Sequence, residues 1–230
     1  MTESNVSRLS VDIVSDVMCP WCIIGWLKSQ TVMTHFEGRL AFRVQWHPFE
    51  LNPDMPPEGE DAAQHVMRKY GISAEQSRAN TGRLAAVAAE LGFAFNRGPE
   101  FRMRNSFDAH RLLTWAGALE DPEQVTATGV QTALKLALFR AHFTDNRDVS
   151  DHGVLIEIAA SVGLDRDRAA AILASGEFGE MVRTEEAYWI DQNITGVPAF
   201  ILGGRMLVPG AQDPEAFIRV IENKVLATAA

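Results

Sequence analysis

A chain of 230 residues with a formal net charge of -9 and no run of Lys or Arg has no electrostatic means of holding a nucleic acid, whose phosphates need clustered cations. Its 47% apolar and 22% charged residues are those of a globular protein able to bury a core without help from a metal or a disulfide. No apolar stretch is long enough to span a membrane. The opening Met1–Arg8 is polar, with Glu3 and Arg8 where a secretion signal needs a basic start and an apolar centre, so the expected compartment is the cytoplasm.

Leu9, Val11 and Ile13 alternate with Ser10 and Asp12, and Leu40, Phe42, Val44 and Trp46 alternate with Ala41, Arg43 and Gln45. This period of two predicts two strands. Between them, Pro20 to about Phe36 predicts a helix, because proline suits a first helical position where its missing N–H costs nothing. Leu51-Asn52-Pro53-Asp54-Met55-Pro56-Pro57 then reads as a linker, and the chain turns helical. Ser73 to Leu91 is one expected helix. Val130, Leu134, Ala137, Leu138 and Ala141 mark the face of a second, and Val154, Leu155, Ile158, Ala159 and Val162, ended by Gly163, the face of a third. The Met and aromatic residues on these helices are expected in the core. Val197–Leu202 and Arg205–Val208 predict strands joined by a two-residue turn at Gly203-Gly204, before a last helix from Asp213 to about Val225. The order βαβ, helices, ββα predicts an α/β fold. One sheet domain, residues 1–55 and 190–230, is split by an all-helical insertion, residues 56–189.

The two cysteines stand three apart as Cys19-Pro20-Trp21-Cys22, where the first strand meets the first helix. That placement is the signature of a thiol redox site. A helix N-terminus offers partial positive charge and unpaired N–H groups, so a thiolate at Cys19 is expected to be stabilised and to attack a substrate disulfide. Cys22, one turn deeper, is expected to resolve the mixed disulfide. A zinc site would need two further ligands, and the six histidines contain no pair three to five residues apart, so no metal is expected. His35-Phe36-Glu37 matches the H-x-E of zinc deaminases by chance, since it follows the cysteines where that motif precedes them. A reducing compartment also disfavours a purely structural bridge.

Several segments together resemble the DsbA-like branch of the thioredoxin superfamily, and within it the FrnE-type dithiol-disulfide oxidoreductases. They are Ser15-Asp16-Val17-Met18-Cys19-Pro20-Trp21-Cys22, Trp46-His47-Pro48-Phe49-Glu50-Leu51-Asn52-Pro53, Lys69-Tyr70-Gly71, Asn105-Ser106-Phe107-Asp108-Ala109-His110-Arg111, Phe139-Arg140-Ala141-His142-Phe143, Gly196-Val197-Pro198-Ala199-Phe200 and Gly210-Ala211-Gln212. The resemblance implies a thioredoxin-like fold and thiol-disulfide exchange with a protein disulfide or a small thiol. It implies no cofactor beyond a redox-active Cys19–Cys22 disulfide, with glutathione as a candidate co-substrate. It also implies that Val197-Pro198 is a cis-proline loop facing the cysteines, with the Val197 backbone available to a substrate strand.

The chain departs from the family in having Ile23 where an aromatic residue commonly follows the second cysteine, and in lacking the second cysteine pair of some members. Sister branches of the fold, the kappa-class glutathione transferases and the 2-hydroxychromene-2-carboxylate isomerases, supply the alternative of a glutathione-dependent transferase or isomerase, though these usually carry serine where Cys19 stands. A third alternative is a binding protein that holds clients in an aromatic-lined groove. Asn105 to Arg111 is expected to cap a helix and to make structural hydrogen bonds.

Overall fold

Alternating side chains in Ser7–Ser15 (β1) send Leu9, Val11 and Ile13 to the main core and Val14 to a smaller cluster on the opposite face. Covered on both sides, β1 is the central strand of a four-stranded sheet in the order β2-β1-β5-β6. Leu40–Pro48 (β2) runs parallel to β1, and Ala199–Leu202 (β5) and Met206–Pro209 (β6) complete the sheet in antiparallel fashion. Parallel neighbours need a crossover, and Pro20–His35 (α1) supplies it. This computed structural model describes residues 6–98, 100–121 and 126–227. The segment Met1–Asn5 of the polar opening, and the last three residues of the span 190–230, lie outside the described residues.

Between β2 and β5 come Glu60–Asp61 (β3), Ala62–Tyr70 (α2), Ala74–Glu90 (α3), Arg102–Met103 (β4), Phe107–Ala118 (α4), Val130–Phe143 (α5), His152–Ser161 (α6), Arg166–Ala174 (α7) and Gly179–Asp191 (α8). The helix expected over Ser73–Leu91 is α3, opened by a capping box in which Ser73 and Gln76 satisfy each other's backbone N–H groups. The insertion is not wholly helical, because β3 and β4 pair antiparallel. Strands of two residues are too short to show any periodicity. Among the described residues no helix is long and apolar enough to cross a membrane.

One buried cluster runs without interruption from β1 and α1 into α4, α5, α6 and α7. The edge of β2 is closed by a side chain. Gln131 of α5 accepts from the Trp46 N–H at 2.9 Å and donates to the Trp46 carbonyl at 2.9 Å and the Leu113 carbonyl at 3.2 Å, standing in for a neighbouring strand. Trp46 Nε1 also donates to Thr132 Oγ1 at 2.9 Å. On the other face α8 is tied down by charge. His47 Nδ1 lies 2.5 Å from Glu185 Oε1 and His47 Nε2 lies 2.9 Å from Asp12 Oδ1, while Arg183 bridges Glu50 and Glu186.

The hairpin closes as Leu202–Arg205, with Arg205 N–H donating to the Leu202 carbonyl at 3.3 Å. Gly203 (φ 58°) and Gly204 (φ 66°) both take the left-handed backbone that such a turn demands. The last helix, Pro214–Val220 (α9), continues as a π-helical turn over Ile221–Leu226.

Candidate active site

Cys19 is the residue at which strand geometry gives way to helix. It caps α1 with φ -92° and ψ 113°, and Pro20 begins the helix proper. The turn is pinned by a buried carboxylate: Asp16 accepts from the Met18 N–H at 3.0 Å and the Leu51 N–H at 2.8 Å, and its carbonyl accepts from the Cys19 N–H at 3.1 Å. Cys19 is 4% exposed and lines a cavity of about 710 Å³, whereas Cys22 is fully enclosed behind it. Both are free thiols. Trp21, between them in sequence, projects outward with 46% of its surface exposed.

The Val197–Pro198 peptide is cis and lies against the cysteines, with Cys19 Sγ donating to the Val197 carbonyl at 3.5 Å. Gly25 makes this approach feasible. A Cβ at that position would sit 3.0 Å from Pro198 Cγ and 3.3 Å from the Phe200 ring, so α1 can press on the proline loop only because position 25 has no side chain. The loop is held from the other side by the Gly210 N–H, which donates to the Pro198 carbonyl at 2.7 Å.

The electrostatics distribute the two sulfurs differently from the sequence expectation. Contact with the Cys22 sulfur, reinforced by burial and by the negative charge of Asp16, pushes the Cys19 thiol well above its usual value. Burial opposes ionisation of Cys22 too, but the Cys19 thiol and the positive charge of Lys135 outweigh it and hold Cys22 below its usual value. The helix terminus expected to favour a thiolate at Cys19 is outweighed by these closer charges. The pair therefore gives up a first proton readily and a second with difficulty. Access to the cavity belongs to Cys19.

Three buried polar residues lie behind the cysteines: Lys135, which sequence reasoning passed over, Asp16, quoted only within a family segment, and His110, expected only to make structural hydrogen bonds. Lys135, on α5 and fully buried, donates to the Ser15 carbonyl at 3.2 Å and rests over the rings of Trp46 and Phe139 at 5.5 and 5.2 Å. Burial draws its pKa down to about 8, against the pull of the anionic Cys22 and Asp16. Burial works against the Asp16 carboxylate as well, but His110 and the N–H groups of Met18 and Leu51 hold it below the usual range. His110 Nε2 lies 3.6 Å from Asp16 Oδ1. A sequence signal existed for Lys135: it falls inside the buried stripe Gln131, Leu134, Leu138 and Phe139, where an ordinary surface lysine has no place.

The rest of the Asn105–Arg111 segment is structural. Asn105 Oδ1 accepts from the Phe107 N–H at 2.9 Å, while the Ser106 side chain makes no capping bond. Arg111 binds Asp108 at 2.7 Å and the Glu177 carbonyl at 2.8 Å. Among the described residues no three His, Cys, Asp or Glu side chains converge as a metal site would require.

The family model for a DSBA-like thioredoxin domain matches residues 10–222. A "probable DsbA oxidoreductase" from Streptomyces coelicolor superposes with a TM-score of 0.82 at 32% identity, over 94% of this chain and 89% of that one. The cytosolic disulfide reductase DsbM from Pseudomonas aeruginosa shares the fold with a TM-score of 0.61 at 18% identity, over 95% of this chain and 99% of its own. The uncharacterized protein YwbO of Bacillus subtilis is 22% identical over 93% of this chain and 96% of its own length. The fold is thioredoxin-like, with helices inserted into its sheet domain, and the chain belongs to the DSBA-like thioredoxin domain family.

Proposed function

We propose that the protein is a thiol-disulfide oxidoreductase of the FrnE type whose Cys19-Pro20-Trp21-Cys22 pair exchanges electrons with a protein disulfide or a small thiol. The observation that carries this reading is the division of labour between the sulfurs: Cys19 opens on the cavity and touches the proline loop, while Cys22 waits behind it, out of reach of solvent. As a substrate sulfur approaches Cys19, the Cys19 proton passes to Cys22 or is lost, and the Cys19 thiolate attacks. One substrate sulfur leaves as a thiolate and the other remains bound to Cys19. Cys22, having passed any proton it took up to the first departing substrate sulfur, attacks Cys19 Sγ as a thiolate, the substrate leaves with both sulfurs reduced, and the pair becomes a disulfide, two electrons having moved.

Lys135 positions the charge for this exchange without touching the substrate. The Val197 carbonyl, once Cys19 has lost its proton, is free to accept from a substrate backbone. No cofactor beyond the dithiol is needed, and a small thiol such as glutathione would return the pair to its starting state. DsbM has been solved with glutathione, and the shared fold makes it a reasonable first reductant to offer. The cytoplasm is the compartment proposed with this reading, since its reducing poise would keep the pair cycling.

The test is a pair of substitutions. Cys19→Ser should abolish reduction of insulin or a model disulfide, and Cys22→Ser should accumulate mixed disulfides detectable by mass spectrometry. Full turnover in both variants would refute the assignment. The 2-hydroxychromene-2-carboxylate isomerase shares the fold with a TM-score of 0.68 at 13% identity, so glutathione-dependent isomerase or transferase activity is the alternative to set against it. That activity, unaffected by Cys22→Ser, would replace the dithiol reading.

A further inference from the structure

The cavity over Cys19 is charged with one sign. Lys69, Arg83 and Arg97 line it together with His65, and among the described residues no Asp or Glu does, in a chain whose net charge is -9. None of the three long cations has a carboxylate partner among the described residues. Lys69 Nζ donates to the Leu51 carbonyl and to Asn52 Oδ1, each at 2.7 Å, and Arg83 donates to Asn80 Oδ1 at 2.7 Å. Elsewhere Arg104, Arg111, Arg147, Arg168 and Arg183 all face carboxylates.

Arg97 is the most unusual of the set. Its guanidinium lies over Phe95, Phe101 and Phe143, 5.6, 4.9 and 5.4 Å from the ring centres, and its Nε is buried with no acceptor. A buried donor without a partner is costly, and none of the described residues accepts from it. The aromatic bed fixes the planar fork, so a carboxylate arriving there loses little side-chain entropy in making a two-point contact. Burial lowers its pKa only to about 10, which leaves it charged at neutral pH.

We infer that the cavity selects a small disulfide bearing a carboxylate, with the anionic end held by Arg97 and Arg83 and a sulfur presented to Cys19. The inference rests on the dithiol reading above and adds the substrate class. One reduced protein and one such disulfide give one Cys19–Cys22 disulfide and two small thiols, so atoms and electrons balance without another reactant.

The experiment is single-turnover oxidation of the reduced protein by three disulfides of matched length: dithiodipropionate (anionic), hydroxyethyl disulfide (neutral) and cystamine (cationic). Without a subsite, the protein's overall negative charge would make cystamine the fastest. The expected order is the reverse, with dithiodipropionate ahead of the neutral disulfide by about tenfold, the worth of one charge-assisted pair. Added salt should shrink that ratio in the unmodified protein, and Arg97→Met combined with Arg83→Gln should bring it close to one. Cystamine fastest, or a ratio that survives Arg97→Met combined with Arg83→Gln, overturns the inference while leaving the dithiol reading intact. Failure of all three disulfides to oxidise the pair defeats that reading, and this one with it.

Discussion

Replacing Lys135 by Met should make the protein more stable and a weaker oxidant at once. Burial takes the Lys135 ammonium from an ordinary 10.5 to about 8. At about 1.4 kcal/mol per pH unit, holding the charge inside costs about 3 kcal/mol. Methionine fills nearly the same volume but gives up the 3.2 Å bond to the Ser15 carbonyl, a loss of about 1 kcal/mol, so the net gain should be about 2 kcal/mol near neutral pH. The sign follows from linkage. The folded protein holds this proton less tightly than the unfolded chain, so the advantage of the variant is full below about pH 8 and vanishes as the pH rises through about 10.5.

The same charge helps hold Cys22 below the usual thiol value, so its removal should raise the pH at which thiolate absorbance appears. It should also make the potential more negative, by about 30 mV for each 1.4 kcal/mol of thiolate stabilisation lost. Urea denaturation across pH, ultraviolet thiolate titration and equilibration in a glutathione buffer measure the three effects. A variant no more stable than the parent, with a superimposable thiolate curve, would refute the reasoning.

Gly25→Ala should lose about 1 kcal/mol by thermal denaturation, because crowding Pro198 and Phe200 outweighs the helix propensity gained; an increase in stability would show that α1 does not press on the loop. Gln131→Leu should cost about 3 kcal/mol in a denaturant titration, since it leaves the buried Trp46 N–H and carbonyl without the partners they have now, and a loss below about 1 kcal/mol would contradict the docking described. Burial opposes the charge on His47, but Asp12 and Glu185 outweigh it and raise its pKa, so its stabilising charge is fully present below about pH 6.5 and lost as the pH rises through the folded value. Glu50, raised to about 7 by burial and by Glu186, adds in the same direction, so the melting temperature should fall from about pH 5 to 8, and less so in a His47→Gln, Glu50→Gln double variant.

What could be read in advance was what repeats or stands close in sequence. The alternation of Leu9, Val11 and Ile13 and of Leu40 to Trp46 announced the parallel pair, Pro20 announced the helix start, and Gly203-Gly204 announced the turn. Strands β3 and β4 were invisible because two residues carry no period. The spacing of Cys19 and Cys22 was local, and so legible. Their charge balance was not, because it depends on Lys135, His110 and Asp16, which only the tertiary fold brings to one place. Arg97 gave no signal either, since a lone arginine in a loop ordinarily faces solvent, and it is Phe95, Phe101 and Phe143 that make it distinctive.

The contact between Cys19 and the Val197 carbonyl joins residues 178 apart, and the lysine that tunes the pair enters between them in sequence. On the ribosome, then, the cysteines emerge long before Lys135, whose charge helps hold Cys22 below its usual value. The proline loop reaches Cys19 only when synthesis is nearly finished, so a truncated product ending before Gly196 should lack the contact between Cys19 and the Val197 carbonyl.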